Sequence, residues 1–394
     1  MPEKVVIVGA VRSPIGSFCG SLSSLKASDL GCAVIKEVLK RTNIAPADLN
    51  EVIMGQVLQA GEGQNPARQS AVKAGIPYSV PACTVNLLCG SGLKTVAMGY
   101  QSIVAGDNKI ILCGGQEAMS RAPHTIHIRN PLKSGDATLK DSLLADGLTD
   151  AFVHIHMGET AENVAKMYKI TRGEQDAFAV KSQEKTKLAQ TSGHFDKEIV
   201  PISIETKKGT TLVEHDEFPK PGTTLEVLSK LRPNFDKEGT VTAGNSSGVN
   251  DGAAAVILTT ESEAKSRGLP ILAEVVGWSH AGCDPSIMGM GPVPAVNNLL
   301  KKIGWSKDEV DLYELNEAFA AQSIGVLRDL NVDESKVNVC GGAISLGHPI
   351  GASGTRILVT LIYSLHRLGK SKGVAALCIG GGQGIALAVQ VPSA

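Results

Sequence analysis

Cys89 lies in a segment whose pattern suits a cysteine nucleophile. The segment NLLCGSGLKTV (86–96) has an apolar, strand-like run that ends at Cys89, and the Gly-Ser-Gly that follows opens a helix. The free N–H groups and the dipole at such a helix start stabilise a thiolate, which lowers the thiol pKa and activates the sulfur. The pattern therefore predicts a nucleophile. A buried structural cysteine at a tight strand–helix turn is the alternative that this motif alone leaves open.

The second candidate is a histidine held in a loop. His348 stands between Gly347 and Pro349 in GGAISLGHPIGASG (341–354), ahead of a predicted helix. A histidine constrained in this way can accept the proton of a nearby thiol and later polarise a carbonyl group. A loop histidine that only caps a turn remains the alternative.

Two further motifs place polar groups at the ends of predicted strands. In ALCIGGGQG (376–384), Cys378 ends a strand and meets three glycines, whose N–H groups can form an oxyanion pocket. In ELNEAFAAQ (314–322), Asn316 follows an apolar strand and can hold a water aimed at a developing oxyanion. An ordinary buried cysteine and an ordinary helix N-cap are the corresponding alternatives.

The sequence predicts no metal, dinucleotide or nucleic-acid site. His154 and His156 alternate as on a strand or loop, and no cysteine or carboxylate follows them at ligand spacing. There is no Walker A motif, and the GGGQG string near the C-terminus has no βαβ unit after it. The net charge is −1 and no Lys/Arg block occurs, which argues against nucleic acid as a partner.

Short apolar runs alternate with segments of helical spacing along the chain. The runs lack the polar/apolar alternation of a sheet with one wet face, so we predict an α/β fold whose sheet is covered on both faces. The predicted strands include 4–10, 51–57 and 109–115, and the predicted helices include 30–40 and 93–104.

The second half of the chain repeats the plan of the first. Residues 89–115 resemble residues 351–381, because each segment has a small-Ser-Gly motif, a helix, a polar turn and a strand that ends in Cys and Gly. Residues 46–56 match residues 307–317, and the offsets stay between 261 and 265 positions. A duplicated α/β unit explains this regularity, and chance similarity among glycine-rich segments is the alternative.

A different kind of sequence separates the two halves. Residues 119–249 are richer in charge, Thr and His, and their periodicity is broken, which is typical of a long functional insertion. We therefore predict a first half formed by 1–118 plus 250–270, an inserted loop domain at 119–249, and a second half at 271–394.

The sequence favours a cytosolic protein that binds no membrane. The eight cysteines form no CxxC pair, so free thiols in a reducing compartment are expected. The N-terminus enters a predicted strand almost at once, without a signal peptide or an Arg-rich presequence, and the C-terminus is not an SKL-type address. The most apolar stretch, 373–389, is interrupted by glycines and a glutamine and predicts two buried strands around a turn.

Taken in order, the four motifs resemble the active-site motifs of the thiolase family. They are CGSG with Cys89, NEAFA with Asn316, GHPIGASG with His348 and CIGGGQG with Cys378. Four motifs in register over most of the chain make this resemblance specific. It implies the thiolase fold, in which two similar βαβ-rich halves form αβαβα layers and carry a large loop domain.

Two segments of the insertion resemble the acetoacetyl-CoA thiolases. They are GLTDAF (147–152) and HMGETAEN (156–163), and NSSGVNDGAAA (245–255) resembles the family's CoA-binding stretch. The resemblance implies substrate or CoA contacts at six residues: His156, Met157, Lys220, Ser247, Met288 and Phe319. Phe218 stands where some potassium-activated relatives have Tyr, so this comparison leaves activation by potassium undecided.

The resemblance also implies the roles of the catalytic residues. Cys89 attacks an acyl-CoA thioester and becomes acetylated, while His348 takes its proton. His348 and Asn316, the latter through a water, stabilise one oxyanion, and backbone N–H groups near Cys89 and Gly380 stabilise the other. Cys378 removes an α-proton from a second acetyl-CoA, and the resulting carbanion attacks acetyl-Cys89. The reverse reaction cleaves acetoacetyl-CoA, and neither direction needs a metal or a redox cofactor.

Three other functions are the alternatives to this one. A decarboxylating β-ketoacyl synthase shares the cysteine nucleophile but carries a second His or an Asn, whereas this chain has Cys378. A degradative 3-ketoacyl-CoA thiolase would accept longer chains. A catalytically silent acyl-CoA-binding protein would not need the intact Cys/His/Cys set. By family resemblance we expect a homo-oligomer, a dimer or a tetramer, that is closest to cytosolic forms and serves lipid metabolism with acetyl-CoA, acetoacetyl-CoA and CoA as its ligands.

Overall fold

The computed structural model describes residues 3–392, except residues 131 and 208. The strands are β1 Val5–Arg12, β2 Gly16–Ser17, β3 Glu51–Gly55, β4 Ala82–Val85, β5 Ile110–Ala118, β6 His124–Thr125, β7 Lys140–Asp141, β8 Ile202–Thr206, β9 Gly209–Val213, β10 Asn250–Thr260, β11 Ala273–Gly282, β12 Leu312–Leu315, β13 Lys372–Ile379 and β14 Gln383–Gln390. The helices are α1 Ala27–Thr42, α2 Pro66–Lys73, α3 Ser91–Ala105, α4 Met157–Tyr168, α5 Arg172–Thr191, α6 Leu225–Ser229, α7 Glu261–Ser266, α8 Pro292–Ile303, α9 Ala320–Leu330, α10 Ala343–Leu346 and α11 Ser353–Leu368.

Two equivalent sets of strands form the main sheet, in the order β12-β13-β14-β11-β1-β10-β5-β3-β4. In the first set β3 and β5 are parallel, and β5, β10 and β1 follow antiparallel. In the second set β12 and β13 are parallel, and β13, β14 and β11 follow antiparallel. The sets meet at β1 and β11, which share only the pairs at Val6 and Ile7. The same pairing pattern on both sides confirms the predicted duplication.

Strand residues alternate between two different helix layers. Ile7 and Leu377 face a core that includes α3 and α11, which pack against each other. Val6 and its neighbours on the opposite face of β1 pack against α1 and α2, and Val374 on β13 packs against α8 and α9. Helices therefore cover both faces of each half, and the predicted αβαβα layering is confirmed.

The crossing of α3 and α11 depends on two glycines. A Cβ atom added to Gly92 would lie 2.7 Å from the main-chain N of Thr355, and the equivalent Gly354 is crowded by Leu93 in the same way. Only glycine allows this approach of the two helix starts. The contact is functionally important because Cys89 and His348 lie just before these two helices.

The segment between β5 and β10 holds two small hairpins, β6-β7 and β8-β9, and helices α4, α5 and α6. A buried arginine of β1 ties this segment to the first half. Arg12 Nε lies 2.6 Å from Glu198, and its Nη1 lies 2.7 Å from Asp216.

The domain boundaries themselves stay a prediction, and their outermost residues, 1–2 and 393–394, lie outside the described residues. Within the described part, no helix combines the length and apolarity that crossing a membrane requires.

Candidate active site

Cys89 and His348 line one cavity of about 440 Å³. The six predicted substrate or CoA contacts line the same cavity: His156, Met157, Lys220, Ser247, Met288 and Phe319. His156 and Met157 lie at the start of α4, Lys220 and Ser247 lie in the insertion, Met288 lies between β11 and α8, and Phe319 lies between β12 and α9. The structure thus brings together residues that are far apart in the sequence and gives each predicted contact access to the same space.

Cys89 lies one residue before the cap of α3. Gly90 is the N-cap, the helix begins at Ser91, and Leu88 adopts a positive φ of 46°. Burial raises the pKa of Cys89 to about 11, and the main-chain N–H groups of Gly380 and Cys89 itself oppose that rise. The predicted lowering of this pKa is wrong, because the desolvation of a thiolate in this cavity outweighs the helix start and the N–H groups.

The two N–H groups that favour a Cys89 thiolate belong to Gly380 and Cys89. They are the groups that the sequence predicts for one oxyanion pocket. Gly380 follows β13 directly and borders a second cavity, which Met157 also lines. Met157 is therefore a shared wall between the cavity that holds Cys89 and the space next to Gly380.

His348 lies in the loop between α10 and α11 and is 95 % buried, with 5 % of its surface exposed. Its main-chain N–H donates to Asn250 Oδ1 over 2.9 Å, and its Nδ1 lies 2.6 Å from Ser353 Oγ. The pKa of His348 is lowered to about 3, mainly by burial and in addition by the positive charge of Arg356. The imidazole is therefore neutral at physiological pH and is available as a proton acceptor.

Asn316 lies next to His348 but does not cap a helix. Its Nδ2 is 3.4 Å from Nε2 and 3.5 Å from Nδ1 of His348, and its Oδ1 is buried and has no hydrogen-bond partner among the described residues. Helix α9 begins at Ala320 with Phe319 as its cap, so the N-cap alternative for Asn316 is wrong. An unpaired buried oxygen is costly, which makes this atom a suitable partner for a water or a substrate oxygen.

Cys378 lies beneath the cavity. It is fully buried near the end of β13 and shares a small apolar cluster with Met157, Met288 and Phe319. Burial raises the pKa of Cys378 well above its ordinary value, and the nearby thiols of Cys89 and Cys283 raise it further. The thiol is therefore neutral at physiological pH, and Cys89 is close enough to raise its pKa.

Two positioning residues were missed by sequence reasoning. Glu117, at the end of β5, accepts N–H groups from Val57, Leu58 and Gly351, and so joins two loops at the cavity. Burial raises the pKa of Glu117 to about 7. Asn250 holds His348 as described above. Asn250 stands within the stretch that resembles a CoA-binding segment, whereas no motif marks Glu117.

Among the residues that the structure describes, no group of three or more His, Cys, Asp or Glu side chains is arranged to hold a metal ion. His156, one of the predicted substrate or CoA contacts, stacks on Phe235 with ring centroids 4.7 Å apart. Its Nδ1 accepts the N–H of Gly158 over 3.0 Å. These contacts fix the imidazole at the start of α4, where it faces the cavity.

Comparison with known proteins identifies the family. The model of the thiolase N-terminal domain matches residues 5–262, and that of the thiolase C-terminal domain matches residues 269–391. The cytosolic acetyl-CoA acetyltransferase of Rattus norvegicus is 56% identical over 390 residues, which cover 98% of each chain. The crystal structure of the Bacillus anthracis acetyl-CoA acetyltransferase superposes with a TM-score of 0.97 at 43% identity, over 99% of each chain. Human mitochondrial 3-ketoacyl-CoA thiolase in complex with CoA gives 0.95 at 46% identity, over 99% of this chain and 98% of that one. The chain belongs to the thiolase family.

Proposed function

We propose that this protein is an acetyl-CoA C-acetyltransferase, which reversibly condenses two acetyl-CoA molecules to acetoacetyl-CoA and CoA. The observation that carries the proposal is that Cys89 and His348 line one largely apolar cavity, while Cys378 packs directly against Met157, Met288 and Phe319 of its wall. The names of the relatives support the same reaction, since the rat and Bacillus anthracis proteins are acetyl-CoA acetyltransferases.

The first half of the reaction acetylates Cys89. His348 takes the proton of the thiol as the sulfur attacks the thioester carbonyl, because a thiol with a pKa of about 11 is scarcely ionised at neutral pH without a base. The N–H groups of Gly380 and Cys89 stabilise the oxyanion that forms. The C–S bond to CoA then breaks, and Cys378 gives its proton to the leaving CoA thiolate.

The second half joins the two acetyl groups. Cys378, left as a thiolate, takes an α-proton from a second acetyl-CoA, whose thioester stabilises the carbanion. That carbon attacks acetyl-Cys89, and His348 with a water on Asn316 stabilises the new oxyanion. The Cys89 sulfur leaves and recovers its proton from His348. The protons balance over the cycle, so we expect no need for a metal or a redox cofactor.

The CoA portion is expected to lie along the exposed side of the cavity. Lys220 is exposed there, and its ammonium group lies 5.5 Å from the centre of the Phe218 ring. An exposed ammonium group on the lining of a cavity suits a phosphorylated ligand. Ser247 also lines this wall, and its N–H is already used by the carbonyl of Ala318, which leaves its hydroxyl for a ligand such as the pantetheine arm.

The fold alone does not separate this proposal from a degradative thiolase. The human protein with a TM-score of 0.95 is a 3-ketoacyl-CoA thiolase, so both classes share the architecture. The deciding features are the side chains around the acyl group, where Met157, Met288 and Phe319 pack against Cys378. Because these three side chains occupy the space next to Cys378, they favour a substrate with a short acyl chain.

A direct assay tests the proposed activity. Purified protein should consume acetoacetyl-CoA in the presence of CoA and yield acetyl-CoA. Cys89→Ala should fold and lose at least about 10³-fold in rate, because the covalent nucleophile is gone. The exposed Cys19 provides a matched control, and Cys19→Ala should retain full activity. A wild-type protein without acetoacetyl-CoA cleavage, or an active Cys89→Ala, would disprove the assignment.

The cellular setting is also part of the proposal. We place the protein in the cytosol and in lipid metabolism, supported by the rat relative that is named a cytosolic enzyme. A homo-oligomer, either a dimer or a tetramer, is expected, and light scattering of the purified protein measures its mass. Activity after dialysis against EDTA, with sodium in place of potassium, tests both the expected independence from metals and the open question of activation by potassium.

A further inference from the structure

The hydroxyl of Ser353 makes two short contacts beside the proposed base. Ser353 is the first residue of α11 and is fully buried. Its Oγ lies 2.6 Å from Nδ1 of His348 and 2.9 Å from the carbonyl oxygen of Pro349. A hydroxyl has only one proton to donate, so these two contacts cannot both receive it. Which of these two hydrogen bonds the Ser353 hydroxyl donates therefore decides which imidazole nitrogen carries the proton.

The carbonyl of Pro349 does not settle the direction by itself. It already accepts the N–H groups of Ala352 and Ser353, each over 2.9 Å. Either arrangement is chemically possible at this point. In one, Ser353 donates to the carbonyl and accepts from Nδ1–H. In the other, it donates to a bare Nδ1, and the proton of the neutral imidazole then lies on Nε2.

The first half of the duplicated fold contains the equivalent serine, and there the direction is certain. Ser91 is the first residue of α3 and stands 262 positions before Ser353. Its Oγ lies 2.8 Å from the main-chain N of Leu87 and 2.6 Å from the carbonyl of Leu88. A main-chain N–H can only donate, so Ser91 must accept from it and donate to the carbonyl.

Each of the two serine hydroxyls has a nitrogen on one side and the carbonyl of a preceding residue on the other. In the second half the nitrogen of His348 replaces the main-chain N–H of Leu87 as the neighbour of the hydroxyl. Because the Pro349 carbonyl can only accept, a Ser353 hydroxyl that donates to it, as Ser91 donates to Leu88, must accept from Nδ1–H of the imidazole. The neutral imidazole then keeps its lone pair on Nε2, next to the amide nitrogen of Asn316 at 3.4 Å.

We propose that Ser353 is a positioning residue that holds His348 in its Nδ1–H tautomer, so that Nε2 is the nitrogen that takes the Cys89 proton. The proposal rests on the role given to His348 in the proposed function. The proton moves from the Cys89 sulfur to Nε2, and Ser353 exchanges no proton. The resulting imidazolium keeps its Nδ1–H bond to Ser353, whose hydroxyl remains directed at Pro349.

Removal of the Ser353 hydroxyl should allow the His348 imidazole to change its tautomer. In Ser353→Ala, Nδ1 loses its partner, and the imidazole can adopt the Nε2–H form, which isolated imidazole side chains prefer. That form cannot accept a proton at Nε2. A positioned general base is worth about 10²- to 10⁴-fold, so we expect the variant to lose at least about tenfold in the rate at which the Cys89 sulfur attacks near neutral pH, since its proton passes to His348 during the attack.

Alkylation of Cys89 by iodoacetamide measures this step without any acyl-CoA. The rate is followed between pH 6 and pH 11 by mass spectrometry of the Cys89 peptide. The other ionisable groups that act on the pair are Arg356 on α11, Glu117 on β5 and Cys378 on β13, and all three remain in every variant. Ser353→Ala should alkylate slowly at pH 7, and should approach the wild-type rate near pH 11, where the thiol ionises without a base.

Two matched variants separate tautomer control from packing. Ser353→Thr keeps the hydroxyl and should restore most of the neutral-pH rate. Ser364→Ala removes another buried serine of α11, one that faces Cys340, and should behave as wild type. A Ser353→Ala rate equal to wild type at all pH values would refute the proposal. An equal loss at pH 7 and pH 11, or a folded Ser353→Thr as slow as Ser353→Ala, would also refute it.

Nitrogen NMR of the wild-type protein provides a test that needs no folded variant. With ¹⁵N-labelled histidine, Nδ1 of His348 should show the shift of a protonated ring nitrogen, and Nε2 that of a bare one. The opposite pair of shifts would overturn the proposal. Neither NMR nor alkylation uses acyl-CoA, so a protein without acetoacetyl-CoA cleavage would fail the proposed function while these two experiments still decide the role of Ser353.

Discussion

Replacement of His348 by alanine removes the group that we assign as the acceptor of the Cys89 proton. The burial that raises the pKa of Cys89 to about 11 leaves only about one thiol in 10⁴ ionised at pH 7 and about one in 10² at pH 9. If the variant reacts only through this ionised fraction, acetylation of Cys89 should fall by up to about 10⁴-fold at pH 7. The loss should shrink to about 10²-fold at pH 9.

The wild-type protein should show a different pH profile. The pKa of His348 is lowered to about 3, so its neutral, proton-accepting form is present above that value and is lost only as the pH falls through it. Acetylation by the wild type should therefore be nearly independent of pH between 6 and 9. The variant should gain about tenfold in rate for each pH unit over the same range.

Rapid-quench experiments with acetoacetyl-CoA, read out as the acetyl-Cys89 peptide, measure this step before turnover. The exposed His127 provides the control, because His127→Ala removes an imidazole that does not line the cavity. Parallel profiles for wild type and His348→Ala, with a constant ratio at every pH, would mean that His348 does not act as the base for Cys89. A wild-type rate that halves near pH 6.5 would contradict the buried, neutral imidazole.

Three shorter predictions concern the second cysteine, the substrate and the buried ion pairs. Cys378→Ser should still form acetyl-Cys89 from acetyl-CoA but should no longer exchange its α-hydrogens with deuterium from the solvent; loss of the acetyl-enzyme instead would reverse the two roles. In a series of 3-ketoacyl-CoA substrates, kcat/KM should fall sharply from four to eight carbons, and an equal or rising value would indicate a degradative thiolase. Arg12→Met leaves two buried carboxylates unpaired and should cost about 3–5 kcal/mol of unfolding free energy in urea. Lys4→Met, which breaks an exposed pair, should cost less than about 1 kcal/mol, and equal costs would show that burial of the charges is unimportant.

The duplication and the strand-end cysteines were accessible from the sequence because they depend on local order. Apolar runs predict buried strands, and equal offsets predict equivalent halves, whatever the rest of the chain does. The pKa of Cys89 was not accessible in this way. Its helix start is local, but its desolvation depends on a cavity closed by residues from distant segments, among them Met119, His156 and Ile350. A local motif indicates the N–H groups that stabilise the thiolate, but it does not indicate the desolvation, which raises the pKa by more.

The start of α9 illustrates a second limit. Asn316 has the residue type of an N-cap, yet α9 begins only at Ala320, and its cap is Phe319 in an extended conformation. The reason is tertiary. The N–H of Ser247 donates to the carbonyl of Ala318, and the N–H of Ala320 donates to the carbonyl of Asn245. The end of the insertion therefore occupies the main chain that a helix starting at Asn316 would use, and this pairing leaves the Asn316 side chain free beside His348.

The duplicated halves also explain why burial does not identify a catalytic cysteine. Cys113 and Cys378 occupy equivalent strands, both are fully buried, and burial raises the pKa of each well above its ordinary value. They differ in where their strands end. Cys113 lies in the middle of β5, which continues to Ala118, and its side chain packs into the core shared with α3. Cys378 is followed by only one more residue of β13, so it reaches the strand end beneath Met157 and Phe319. The two cysteines therefore lie on opposite faces of equivalent strands, because Cys113 shares the α3/α11 core with Leu377, whereas Cys378 packs against Met157 and Phe319 next to the cavity.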